Sequence, residues 1–365
     1  MQHVQRPLVF GFVLVIGITW ALAVPFASAA EPRAKPQMVP KGTRTLGISV
    51  NAAEDNNYDT AFQIAKSVGM EAVSLSVNWD QVETAPGVYG MTPNFLAIAN
   101  TYYSATHTKL DLVLRPIDTN GKHVPRDLQN TAFDDPVMIA RFQRVVDYVF
   151  SQLPHVQLNF LSIGNEIDLG IGGDAMLWRQ YEVFYRTVKA YVHAVKPGLR
   201  VGTTATLYGL SQSARAQLAR INRVSDIVIV TYYPLHEDFS VKDPAVMRGE
   251  IESLLALYPR KPVYFVEIGY PASPLLGSSQ AQQRTFIDEV FQIWDAHSKR
   301  IPYLSFTWLT DISSAQVDEL VKYYGLDDER FKAYLLSLGL RTHSHSGKDK
   351  PAFKALRRAT QKRGW

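Results

Sequence analysis

Residues 156–170 read VQLNFLSIGNEIDLG. An apolar run from Val156 to Ile163 stops abruptly at Gly164-Asn165-Glu166. An amide and a carboxylate side by side, where a buried run ends, fit two readings. One is a turn, with Gly164 letting the chain leave a sheet. The other is an acid placed for chemistry. The choice depends on what the rest of the chain delivers to the same level.

From residue 45 onward, short apolar runs alternate with amphipathic stretches. The pattern predicts strands at 45–50, 72–77, 110–116, 156–163, 200–206, 226–234, 262–271 and 303–311. Helical spacing fills 58–69, 94–105, 136–153, 176–195, 211–221, 246–258 and 279–297, and residues 351–359 read as a closing helix. Eight apolar strands alternating with helices argue for a parallel sheet covered on both faces. Eight units in this length fit a single α/β domain, a (β/α)8 TIM barrel over residues 45–340. An open doubly wound sheet is the alternative, but no glycine-rich nucleotide loop follows the first strand.

In this frame Glu166 ends strand four and Glu267 ends strand seven, three units of roughly 34 residues apart. Both carboxylates fall on the C-terminal rim, where barrel active sites lie. Other strands end in Asn78, Trp79 and Asp80, in Arg115, in Tyr232 and Tyr233, and in Trp308 and Asp311. Glycoside hydrolysis needs such a set. One carboxyl must be protonated to expel the leaving group, and a second must be ionised to attack the anomeric carbon. Aromatic faces stack on sugar rings, and arginine, amide and phenol groups hold ionisation states and hydroxyls in place.

The motifs resemble glycoside hydrolase clan A, the retaining β-glycosidases built on TIM barrels. The carriers are GNE at 164–166, the strand-seven glutamate in VEIGYP (266–271), NWDQVETAPGVYG (78–90) and GLRTHSHSGKDKPAF (339–353). VTYYP (230–234) and VEIGYP look most like the endo-β-1,4-galactanases of glycoside hydrolase family 53. That family's histidine and tryptophan after strand three are missing. RPIDTNGKHVP (115–125) stands there instead, so the match does not carry a galactan substrate with it.

The resemblance implies Glu166 as general acid/base and Glu267 as nucleophile. It implies Asn165 on the sugar 2-hydroxyl, Tyr233 hydrogen-bonded to Glu267, and Trp308 as a stacking platform. Arg115, Trp79 and Asn78 join them as substrate-binding candidates. Glu83 is expected to support the loop after strand two. Asp168 and Asp311 are read as loop or cap residues. No metal or cofactor is expected, and the partner is an oligo- or polysaccharide bound by a monomer. The alternatives are a non-catalytic carbohydrate-binding barrel at the cell envelope, or a transglycosylase on the same site.

The ends of the chain read differently. Residues 1–29 carry one arginine, an apolar stretch and Ala27-Ser28-Ala29, the form of a secretory signal peptide. This predicts a secreted or periplasmic protein, with a membrane anchor as the alternative. Residues 30–44 read as a linker. There is no cysteine, which excludes disulfide staples, thiol nucleophiles and thiolate metal sites. Net charge is +4, and the segment 341–365 is basic enough to leave the remainder acidic. That tail reads as a solvated helix face and terminus, with contact to an anionic envelope surface as the alternative, and no nucleic-acid motif accompanies it.

Overall fold

The computed structural model describes residues 38–365. The expected leader lies outside the described residues. Among those described, no helix is long and apolar enough to cross a membrane.

Eight parallel strands form the barrel: β1 (Thr45–Ile48), β2 (Ala72–Asn78), β3 (Lys109–Arg115), β4 (Leu158–Ile163), β5 (Val201–Gly202 and Thr204–Thr206), β6 (Val228–Tyr232), β7 (Val263–Ile268) and β8 (Tyr303–Phe306). β1 pairs with both β2 and β8, with Thr45 opposite Tyr303. β5 is interrupted at Thr203. Its first piece pairs with β4 and its second with β6, so this one strand closes the ring.

The longer helices are α1 (Tyr58–Lys66), α2 (Phe95–Ala105), α3 (Pro136–Gln152), α4 (Ala175–Val195), α5 (Arg215–Val224), α6 (Val246–Leu257), α7 (Gln280–Ala296), α8 (Ser314–Tyr324), α9 (Glu329–Ser337) and α10 (Pro351–Arg363). α3 shows why they form. Asp135 caps its first turn by accepting from Val137 N at 2.8 Å, and Pro136 supplies a preset φ. Met138, Phe142, Val145, Val146 and Val149 then recur at helical spacing and bury against the sheet. Each such side chain contributes about 1.5–3 kcal/mol.

The barrel's N-terminal floor is filled by Phe160, Tyr264 and Tyr303, with Asp111 among them. A Cβ at Gly47 would run into the Tyr303 hydroxyl, so β1 needs glycine there.

The structure changes the sequence picture in three places. The last strand ends at Phe306, and the segment that follows holds α8 and α9, which the strand-helix count did not include. The end of the expected linker is part of the barrel. Arg44 is 2% exposed, bonds Asp295 at 2.9 Å, and lies between the rings of Trp294 and Trp365. The basic segment is likewise built in. α10 packs on α7, and four cations of the segment are held in ion pairs. Lys350 pairs with Asp311 at 2.6 Å, Arg341 and Arg357 with Asp349, and Arg363 with Asp295.

Candidate active site

β4 ends at Ile163, and Gly164 follows at φ +82. A Cβ there would sit 2.6 Å from the Ile167 side chain, so glycine makes the turn. Glu166 is also left-handed, at φ +41. That conformation costs a non-glycine residue roughly 1–2 kcal/mol. It places the carboxyl over the barrel mouth. Glu166 Oε1 accepts from the Thr231 hydroxyl at 2.6 Å, and Oε2 accepts from the Thr119 hydroxyl at 2.8 Å.

Glu267 belongs to β7, where it stands opposite Thr231 of β6. Its Oε2 accepts from the Tyr233 hydroxyl at 2.7 Å. Adjacent tyrosines at a strand end point to opposite sides. Tyr232 turns away to Glu250 at 2.6 Å, and only Tyr233 reaches the glutamate.

Burial raises both carboxyls. Burial first, and then repulsion from Glu267, push Glu166 up to about 8. Burial also raises Glu267, but the Tyr233 hydrogen bond and the Arg115 charge pull it down, against Asp118. A close buried pair of this kind holds one proton between its members. Glu166 has two hydroxyl donors, Thr231 and Thr119, and Glu267 has one, Tyr233, with the Arg115 charge also acting on it.

Around the pair lies a connected polar set. Arg115 bonds Asp118 at 2.9 Å, and Asn165 Nδ2 donates to the same carboxylate at 2.9 Å. Asp118 has 0% exposure. Burial works against its charge, yet Arg115, Tyr323 and Asn165 hold it below the usual carboxylate range. Asn78 lies beneath, 3.2 Å from His123 Nδ1 and 3.5 Å from the Tyr323 hydroxyl. Trp308 lines the cleft that Glu166 and Glu267 share, a cavity of about 1290 Å³.

The structure thus brings Glu166, Glu267, Asn165, Tyr233, Arg115, Asn78 and Trp308 to one mouth. It does not bring Trp79. That indole is 1% exposed, packs edge-on against Phe142 at 5.0 Å, and donates to Glu83 at 2.8 Å. A four-residue helix begins at Trp79 and turns it into the core, so it has no face for a sugar. Glu83 also takes Arg141 at 2.9 Å and Gly87 N at 2.8 Å, which ties down the loop after β2. Asp168 accepts from Thr206, and Asp311 pairs with Lys350, so both are structural.

Sequence reasoning missed Thr119, Thr231, Asp118, Tyr323, Tyr324 and Tyr334. The last three come from α8 and α9. The SAQVDELVKYY stretch carried a signal: a capping serine at 313, helical periodicity, and Gly325 as a stop. Away from the cleft, Glu54, Asp55 and His345 could each offer one ligand atom within 4.8 Å of the others, but all three are exposed.

No protein-family model and no curated protein matches this chain. Solved structures do. A GH5_18 protein of Streptomyces cattleya in complex with Manβ1-4GlcNAc superposes with a TM-score of 0.65 at 16% identity, over 87% of this chain and 80% of that one. The exo-beta-1,4-mannosidase Op5Man5 from Opitutaceae bacterium strain TAV5 gives 0.64 at 16% identity, over 91% of this chain and 62% of that one. The GH53 catalytic domain of Ignisphaera aggregans gives 0.62 at 14% identity, over 88% and 99%. At these identities the likeness is one of fold, and this chain has the (β/α)8 barrel fold of these glycoside hydrolases.

Proposed function

We propose that the protein is an exported retaining glycoside hydrolase acting on a β-linked glycan. The observation that carries this reading is the buried carboxyl pair at the barrel mouth: Glu166 held by the Thr231 and Thr119 hydroxyls, Glu267 by the Tyr233 hydroxyl at 2.7 Å, with Glu166 raised by burial and by repulsion from Glu267. The shared fold with glycoside hydrolases supports it. Residues 1–29 supply the motive for export.

In the first step the Glu267 carboxylate attacks the anomeric carbon. The bond to the glycosidic oxygen breaks, and that oxygen leaves with the proton of Glu166. In the second step a water gives its proton to Glu166 and its oxygen to the anomeric carbon, releasing Glu267. Two inversions give net retention. Asn165, oriented by Asp118, meets the sugar 2-hydroxyl. Trp308 offers a ring face. A purely binding barrel would have no use for a buried, mutually repelling carboxyl pair, which costs stability.

A panel of 4-nitrophenyl β-glycosides, with polysaccharides assayed for new reducing ends, tests the reading. Turnover that Glu267→Gln and Glu166→Gln both reduce supports it. Full activity in both variants would place the chemistry elsewhere.

A further inference from the structure

The cleft has unequal ends, and the cause is α8. Among the described residues lining it, the β1–β3 side supplies only Ser49, Thr119 and Asn120. The rest of that side lies under Tyr323. The Asn120 amide donates to the Tyr323 carbonyl at 2.7 Å. The Tyr323 ring stacks on His123, with centroids 5.7 Å apart and planes 14° apart. Its hydroxyl donates to Asp118 and reaches the Asn78 amide at 3.5 Å. Asn78 and Asp118 are 3% and 0% exposed, so Tyr323 covers the ends of β2 and β3. The helix pair is tied at its other end too, where Arg330 pairs with Asp238 and Phe331 packs on Phe239.

In the opposite direction the cleft continues. Beyond Glu166 it is lined by Leu169, Leu207, Tyr208 and Gln212, then by the loop after β6 and α6. The proton donor must face the leaving group. The leaving group therefore occupies the open arm beside Glu166, and the sugar that is attacked sits at the closed end, where Tyr324 lines the cleft and Tyr323 covers Asn78 and Asp118.

We propose that the enzyme is exo-acting: the blind end admits one terminal sugar, and residues are released singly from the non-reducing end of a β-linked chain. This rests on the hydrolase reading above. Each cycle consumes one water, breaks one bond between the terminal anomeric carbon and the bridging oxygen, and leaves the shortened chain with a new non-reducing terminus.

The test uses β-1,4-linked hexaoses of mannose, glucose, galactose and xylose, labelled at the reducing end, alongside the matching 4-nitrophenyl monoglycosides. Exo action predicts labelled pentaose and free monosaccharide as the first products, with shorter labelled chains appearing only in order. Early labelled dimer or trimer from a hexaose would overturn the exo proposal and leave the hydrolase reading standing. No turnover of any of these or of the polysaccharide panel would overturn both. Tyr323→Ala removes the wall, and its first products shift toward released di- and trisaccharides. An unchanged monosaccharide pattern in the folded variant would mean Tyr323 does not set the limit. The wild-type product ladder decides the main point if that variant does not fold.

Discussion

The barrel buries carboxyl groups at both of its ends, and the two ends use them differently. At the floor, Asp111 is 1% exposed on β3, accepts from Asn159 at 2.7 Å and from Tyr303, and burial holds it up at about 7. At the rim, Glu166 is held up at about 8. Weakened acidity is common to both. The floor carboxyl faces packed rings of Phe160, Tyr264 and Tyr303. The rim carboxyl faces a second carboxyl with its own donor, across an open cleft. Burial alone therefore explains a perturbed acid, and a partner plus accessible volume is what makes one chemically useful.

The largest effect should come from Glu267. Glu267→Gln should lower kcat on the order of 10⁵-fold, as removing a nucleophile does, measured with the best 4-nitrophenyl glycoside. Glu166→Gln should cost about 10²–10⁴-fold on natural glycosides and much less on aryl glycosides, whose leaving groups need no proton. In the wild type, kcat/KM should follow a bell. The alkaline limb lies near 8, where free Glu166 loses its proton, and the acid limb reports protonation of Glu267.

Tyr233→Phe removes the donor that favours the charged form of Glu267. It should lower kcat/KM by about tenfold, worth about 1.4 kcal/mol, and move the acid limb to higher pH. If that limb stays in place, Tyr233 is packing and not tuning.

Asp111→Asn carries the comparison to the floor. The native Asp111 binds its proton more tightly than the unfolded chain does, so this group's contribution to stability falls as pH rises from about 4 to about 7 and is level above. The amide that replaces it has no proton to lose, so the variant's melting temperature should decline less than the wild type's over that window. Its kcat and pH–rate bell should be unchanged. A shifted bell would mean the two ends are coupled. Trp79→Phe should have the smallest effect, about 1–2 kcal/mol of stability from the lost hydrogen bond to Glu83, with activity kept.

The sequence was legible where local pattern carries the information. Strand ends, the alternation of strands and helices, and the spacing of Glu166 and Glu267 are all period and order, and they placed the rim. What escaped was contact at a distance. Tyr323 is 203 residues from Asn120 and 205 from Asp118, and no periodicity links such positions. Thr119 and Thr231 are ordinary residues until a left-handed Glu166 brings its carboxyl between them. Trp79 was misplaced because a strand-end position implies the rim only if the strand continues straight. Here a short helix begins at that residue. The basic tail is a similar case: composition gives its net charge, but only the fold shows that Lys350 and Arg363 meet Asp311 and Asp295 far away in sequence.

Double displacement requires Glu267 to bond covalently to the sugar. Incubation with a 2-deoxy-2-fluoro-β-glycosyl fluoride of the preferred sugar slows the second step and lets the intermediate accumulate. Intact mass and peptide mapping then read the site. The expected result is one added glycosyl group, on Glu267 in VYFVEI, with no labelling of Glu267→Gln. A label on any other residue, or time-dependent inactivation without a covalent adduct, would contradict it.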